Sequence, residues 1–366
     1  MADLCDSFLD AVNITHGENR VQATAGLDAE QTATVATAVV PALTAARASA
    51  QQATSINNLK QIALAMHNYH DAHNVFPPGM ISTRFLGDTT PTGTQFRDPR
   101  EPYDSNENLG LHGSSWMFQV LPYIEQSNLY DLWRTDYNVY GNSELTYDNS
   151  TNLIWQRLGY APAQAEIPGF YCPSRRGNIS VTRFSWNKYL DTDAPRQITG
   201  GIRGGGNDYA GCAGSGRFIN PVTRSPYDLT ADQINYYNAQ TRTIANNFNQ
   251  INNNTGILYV NSSVRMGDIK DGTTQTIMIS EAERFEGLKI RTPGNLDQIA
   301  SDGWAWGGAA TLFSTLDGPN KQLFYGYAGS PHGDLIMVGL ADGSARSVSK
   351  SVSLPIWQSL GNISQG

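Results

Sequence analysis

The chain has 366 residues, enough to bury at least one large core, and length alone allows one to three domains. Charged residues make up only 16%, below the usual quarter. Gly, Asn, Ser and Thr fill the gap, a balance that suits a turn-rich β protein better than a highly charged intracellular enzyme. A formal charge of −8 with scattered Lys and Arg argues against a nucleic-acid partner, and no apolar run reaches bilayer-spanning length.

The first 27 residues read as a short β-hairpin: Ala11-Val12-Asn13-Ile14-Thr15, a turn at His16-Gly17-Glu18-Asn19, then Val21-Gln22-Ala23-Thr24. Met1 leads into a polar, acidic stretch without a signal-peptide pattern. The hairpin is therefore expected to be the end of an upstream domain in a longer precursor, with any membrane anchor upstream of it.

Residues 28–74 are expected to form one long helix. Asp28 can cap its start and Gln31 follows three residues on. Apolar residues recur at Val35, Val39, Ala42, Leu43, Ala46, Ala53, Ile56, Leu59, Ile62, Ala63, Met66 and Tyr69, in steps of mostly three and four. Such a helix would be about 70 Å long at 1.5 Å per residue. Pro41 should kink or split it, and Pro77-Pro78-Gly79 ends it.

Residues 75–170 read as a loop and helical region. A polar loop covers residues 80–112, and a helical patch runs over Ser115–Gln126 and continues through Asn128–Leu132. The β-rich head follows at 171–366. Gly200–Gly206 has five glycines in seven residues but lacks the spacing and Lys of a phosphate loop, so it reads as a flexible linker. The Asn-rich stretch 235–254 reads as a surface loop or short helix. Strands are expected at Gly256–Val260, Thr276–Glu281, Leu335–Leu340 and Ala345–Val348, with Trp304-Ala305-Trp306 alternating at period two. Asp342-Gly343 between two apolar runs is a hairpin signal.

Several residues invite a chemical role. His67, His70 and His73 lie at i, i+3 and i+6; His67 and His70 can share a helix face and chelate a metal. The alternative is a helix C-terminus hydrogen-bonded to loops, where histidine cations are favourable. Asp268, Asp271, Glu281 and Glu283 cluster in sequence, and Asp268 with Asp271 could hold calcium through oxygen ligands. Their spacing is not that of an EF-hand, and turn chemistry is the plainer reading; calcium is the one cofactor brought forward. Trp304 and Trp306 form a sugar-stacking platform if exposed and core if buried. His332 and Asp342 suit hairpin architecture better than catalysis, since Gly343 needs a positive φ and His332 can tie a loop to the sheet. No Gly-x-Ser-x-Gly accompanies them. Cys172 and Cys212 either form a disulfide or stay as buried thiols, with Cys5 left over. No Cys-x-x-Cys pair is present.

The combination of motifs resembles a known family. Asn57-Asn58-Leu59-Lys60-Gln61-Ile62, His67-Asn68-Tyr69-His70-Asp71 and Phe76-Pro77-Pro78-Gly79 are similar to the helix end of the planctomycete family called domain of unknown function 1559, the prepilin-type processing-associated H-X9-DG family. The segments Leu121-Pro122-Tyr123-Ile124-Glu125-Gln126, Cys172-Pro173-Ser174, Asp208-Tyr209-Ala210-Gly211, Asp268-Ile269-Lys270-Asp271-Gly272-Thr273 with Glu281, and His332 followed after nine residues by Asp342-Gly343 match its order, over residues 32–361.

The resemblance implies an α+β, pilin-like build for residues 28–366: a long N-terminal helix packed on an antiparallel β-sheet, with large loop insertions. It implies a non-enzymatic, extracytoplasmic surface or assembly protein that associates with itself or with protein partners through the helix. Family members begin with a prepilin peptidase site and an apolar helix, whereas Thr32–Leu43 is too polar to anchor in a membrane. The second reading is a secreted module that binds a glycan or other solute.

Overall fold

The computed structural model describes residues 12–17, 20–25, 29–81, 113–135, 139, 142, 146–148, 153–156, 161–175, 184–185, 205–216, 256–259, 261–282, 288–292, 295–300, 303–307, 310–320 and 326–364. The chain forms two compact units, Met1–Ala53 and Thr54–Gly366, and the division falls within the long helix.

In the first unit, β1 (Val12–Gly17) pairs antiparallel with β2 (Arg20–Ala25), with Gly17 opposite Arg20 at the turn end. Helix α1 (Ala29–His73) follows and runs 45 residues without interruption. Pro41 lies inside it and does not split it. A proline removes one intrahelical hydrogen bond, and the Ala-rich sequence around it is strongly helix-favouring. Val40 and Leu43 are exposed, at 57% and 64%.

In the second unit β3 (Thr146–Asp148) pairs with β4 (Leu153–Gln156), and β5 (Phe184–Ser185), β8 (Leu288–Thr292) and β9 (Asn295–Ala300) form a three-stranded sheet, beside a main sheet of five strands. Its strands are β6 (Tyr209–Cys212), β7 (Ile277–Glu281), β10 (Leu312–Phe313), β11 (Leu335–Leu340) and β12 (Ala345–Ser349). Strand β6 pairs antiparallel with β7, β7 with β11 and β11 with β12, while β10 joins β6 in parallel. The fold is therefore α+β with a long N-terminal helix and a mostly antiparallel sheet.

Both faces of the sheet are covered, which is why β11 reads as an unbroken apolar run rather than as an alternating one. One face meets the C-terminal part of α1. Leu59, Ile62, Ala63 and Met66, on one helical stripe, are buried in a cluster with Tyr209, Ile279 and Met337. The other face carries Ala210, Cys212, Ile336, Val338 and Leu340, packed with Phe313 and with Trp357 from α4 (Leu354–Gly361). Trp357 stacks on Phe313 with ring centroids 6.3 Å apart.

Helix α1 ends where Asn74 takes a left-handed conformation (φ 60°) and donates to the His70 carbonyl. The helical patch after the loop is α2 (Trp116–Gln119), a 3₁₀ turn over Leu121–Ile124, and α3 (Ser127–Asp131). Ser115 caps α2 by accepting from the backbone N–H groups of Met117 and Phe118.

Three local expectations are corrected. Gly256–Tyr259 is not a regular strand. It runs beside β6, with Leu258 N–H donating to the Cys212 carbonyl, but β10 already occupies the ladder edge of β6 through Gly211 and Ala213. Trp304-Ala305-Trp306 is a turn with one isolated bridge at Trp306, not a strand. Gly205 and Gly206 are buried rather than part of a flexible linker. A Cβ at Gly205 would lie 2.0 Å from the Ala165 carbonyl and 2.2 Å from Trp304 Nε1, so this glycine serves close packing. The Asn-rich stretch, Gly200–Gly204 and most of the 80–112 loop lie outside the described residues.

Candidate functional site

Where α1 crosses the sheet, four chain segments bring polar side chains into the core. Ser55 comes from α1, Cys172 from the turn after the 3₁₀ segment Pro168–Phe170, Glu281 from the last position of β7, and His332 from the loop before β11. Glu281 is drawn inward because Tyr209 pairs opposite it on β6 and Met337 N–H, from the neighbouring strand, donates to its Oε2 at 3.0 Å.

Oε1 of Glu281 is the focus. Ser55 Oγ donates to it at 2.5 Å, Cys172 Sγ lies 3.4 Å away and His332 Nε2 lies 3.0 Å away. The same Nε2 is 3.4 Å from Cys172 Sγ. The opposite ring nitrogen of His332, Nδ1, lies 3.2 Å from Ser174 Oγ.

A second tier holds these groups. Asp208 accepts the Cys172 N–H at 2.9 Å through Oδ2, and its Oδ1 pairs with the Arg175 guanidinium. Tyr209 Oη sits 3.0 Å from Ser55 Oγ and accepts from Asn58 Nδ2 at 3.2 Å. Asn58 also donates to the Tyr171 carbonyl at 3.1 Å. The helix, the Cys172 turn and β6–β7 are thereby tied together by polar bonds inside an apolar core, where each such bond is costly to leave unmade.

Cys172 and Glu281 are each 1% exposed, and the His332 side chain 2%. Burial, and next the Glu281 charge, push the Cys172 thiol far above its ordinary value. Burial pushes Glu281 up as well, but hydrogen bonding and charge from His332, with hydroxyl bonds from Ser330 and Ser55, outweigh it and hold the carboxyl below its ordinary value. Glu281 is thereby held as a carboxylate beside the Cys172 thiol group and His332 Nε2.

This is not the relay of a cysteine hydrolase. A relay histidine faces its nucleophile with one ring nitrogen and its acid with the other. Here Nε2 faces both, and the thiol is closed to solvent.

The sequence matches the family described as protein of unknown function (DUF1559) over residues 44–354. The chain belongs to this family. No curated protein matches it, and no solved structure does.

Among the described residues of this DUF1559 chain, Cys172, Glu281 and His332 form the group of three or more metal-ligating side chains whose donor atoms lie within 4.8 Å of one another. The residues singled out in sequence as metal ligands are not part of it. His70 Nε2 accepts the Met266 N–H at 3.3 Å, His67 packs on Phe76, and Asp268 caps its own turn by accepting the Arg265 N–H at 2.8 Å. Asp271 sits by the turn at Gly272, where its N–H donates to the Ile363 carbonyl at 3.2 Å. Turn chemistry and helix termination engage His70 and Asp268, and no three of the four residues converge.

The sugar platform is corrected too. Trp304 and Trp306 are 0% and 1% exposed, with Trp304 Nε1 donating to the Ala165 carbonyl at 2.8 Å. The disulfide is not formed: Cys172 and Cys212 are free thiols on different faces of the sheet, and Cys212 Sγ points to the Gly361 carbonyl at 3.6 Å. Asp342 does not take a positive φ. Gly343 alone does (φ 85°), and Asp342 Oδ1 accepts from the Ser344 N–H and hydroxyl at 2.9 and 2.7 Å.

Sequence alone leaves Cys172 as a disulfide half or a buried thiol, places Glu281 in a local carboxylate cluster and gives His332 a loop-to-sheet role. Their convergence was missed. The available signal was that all three lie in segments carrying the family resemblance, although they are separated by more than a hundred residues and by fifty in turn.

Proposed function

We propose that this DUF1559 chain is a non-enzymatic, extracytoplasmic protein of pilin-like build that works by assembling with further copies of itself through its long helix. The observation that carries the reading is the contrast along α1. Its C-terminal part buries Leu59, Ile62, Ala63 and Met66 against its own sheet, whereas Val40 and Leu43 are exposed. Between Ala29 and Ala53 the sequence has only Glu30 and Arg47 as charges, and ten alanines. A helix surface so poor in charge is weakly solvated by its own side chains, and small residues let a second helix approach closely. A second copy offers the same uncharged stripe, so no charge has to be desolvated on either side.

The low overall charge supports an extracytoplasmic setting, and no described helix is long and apolar enough to cross a membrane. The closed Cys172–Glu281–His332 cluster supports a non-enzymatic role, because its side chains are buried out of reach of a substrate.

Sedimentation velocity on the full chain tests this. Self-association that grows with concentration, and is weakened at least tenfold in a Val40→Glu, Leu43→Glu double variant, is expected. A chain that stays monomeric at every concentration, or a double variant that associates as well as the parent, overturns the reading.

A further inference from the structure

The polar knot in the core has more donors than its acceptor can satisfy. A carboxylate oxygen offers two lone pairs. Glu281 Oε1 is approached by the Ser55 hydroxyl, the Cys172 thiol and His332 Nε2, while Oε2 is engaged by Met337 N–H. Cys172 Sγ and His332 Nε2 are also within 3.4 Å of each other. Three donor-type groups crowded on one oxygen is an arrangement that hydrogen bonding alone leaves overfilled. It is the arrangement expected when sulfur, nitrogen and oxygen face a common centre.

The two sulfur edges fit such a centre, and the nitrogen–oxygen edge, at 3.0 Å, is shorter than its tetrahedral value. A tetrahedral zinc ion, with a thiolate at about 2.3 Å and nitrogen and oxygen ligands at about 2.0–2.2 Å, separates its ligand atoms by roughly 3.3–3.6 Å. The sulfur–nitrogen and sulfur–oxygen edges here are both 3.4 Å, and the nitrogen–oxygen edge is 3.0 Å. We infer that Cys172 Sγ, His332 Nε2 and Glu281 Oε1 are three ligands of a buried zinc-type divalent cation that locks the Cys172 turn, β7 and the loop before β11 together. A water, or the Ser55 hydroxyl already 2.5 Å from Oε1, takes the fourth position.

Two further features suit a cation. Thiolate and carboxylate together neutralise a divalent charge, so the buried site carries no net charge. His332 and Glu281 also have partners that leave their metal-facing atoms to the ion, as orienting groups around metal sites do. Ser174 Oγ lies against His332 Nδ1, and Met337 N–H holds Glu281 Oε2. The ligand types, one soft sulfur, one imidazole and one carboxylate, select zinc over calcium or magnesium. This inference does not depend on the assembly reading, since a monomeric chain could carry the ion equally well.

The test is the metal content of the full chain produced in zinc-supplemented medium, with a cobalt-substituted preparation as spectroscopic probe. Roughly one zinc per chain is expected, along with a thiolate-to-cobalt charge-transfer band that Cys172→Ser removes and Cys212→Ser keeps. Ser174→Ala retains all three ligands but loses the partner of Nδ1, and should bind zinc about 10–100-fold more weakly. If Cys172→Ser does not fold, the parent's cobalt spectrum and the Ser174→Ala affinity still decide. A folded parent holding less than about a tenth of an equivalent of zinc overturns the site. So does a parent whose cobalt form lacks the thiolate band, or a Ser174→Ala variant that binds zinc as tightly as the parent.

Discussion

The imidazole of His67, on the buried stretch of α1, lies directly over Gly343, in the turn between β11 and β12. A Cβ built at Gly343 would sit 3.4 Å from both Cδ2 and Nε2 of His67. The backbone there is left-handed (φ 85°), and Gly343 N–H closes the turn on the Leu340 carbonyl at 3.0 Å. The left-handed backbone therefore selects glycine at this position, while a Cβ would meet His67 at van der Waals distance. Gly343→Ala should cost about 1–2 kcal/mol from the left-handed backbone alone, read as a lower urea midpoint at unchanged m value. Gly272, also left-handed (φ 94°) but with nothing near its missing Cβ, is the control. If both alanine variants lose the same stability, the His67 contact contributes nothing.

His67 also couples stability to pH. Burial, and next the His70 charge, hold its pKa below the ordinary 6.5, although Asp71, the Ala341 carbonyl and Asp342 pull the other way. Its Nε2 has no hydrogen-bond partner. The unfolded chain therefore takes up the proton first. The contribution of neutral His67 is complete above the unfolded pKa and is lost as pH falls through the folded one. Melting temperature should drop as pH falls from about 7 to about 5, and His67→Gln should flatten that part of the profile. A variant with the same slope as the parent would remove His67 as its source.

How much of this was legible in the sequence depends on the range of the interaction. Helix α1 and the hairpin strands β11 and β12 were visible because their signals are local: a stripe at helical spacing, an apolar run, and an Asp-Gly pair. Gly205 was misread for the same reason. Its glycine-rich neighbourhood has the composition of a linker, whereas its actual constraint comes from Ala165 and Trp304, distant in sequence. The Cys172–Glu281–His332 cluster was illegible as a unit because no spacing rule connects three segments joined only by the register of β6, β7 and β11. The family motifs marked each segment, but only the sheet brings them to one point.

Thiol chemistry separates the two cysteines from a reactive site. Cys172 and Cys212 are buried, and burial pushes the Cys212 thiol up to about 12. Only the thiolate reacts with disulfide reagents. In a Cys5→Ser background, the native chain should show no rapid reaction with a chromogenic disulfide, and both remaining thiols should react after denaturation. A fast-reacting native thiol lost in Cys172→Ser would mean that the cluster opens to solvent.

Glu281 should be the residue the head tolerates losing least. Its carboxylate accepts from Met337 N–H on one oxygen and faces Ser55, Cys172 and His332 with the other. Gln has nearly the same shape but only one acceptor oxygen. With that oxygen turned toward Ser55 and His332, its amide N–H₂ meets the Met337 N–H. With the amide reversed, it meets the hydroxyl and the imidazole. Either way donors face donors in a core that admits no solvent. Each buried donor left unsatisfied costs about 1–3 kcal/mol and more than one is left here, so Glu281→Gln should lower the urea midpoint more than the Gly343 change does. Ser55→Ala, which removes one donor from the crowded oxygen and leaves the charge in place, should cost no more than about 1–2 kcal/mol. The order of the two variants is the informative result. If Ser55→Ala proved the more damaging, the hydroxyl rather than the carboxylate charge would be the centre on which the helix, the Cys172 turn and the sheet are fastened.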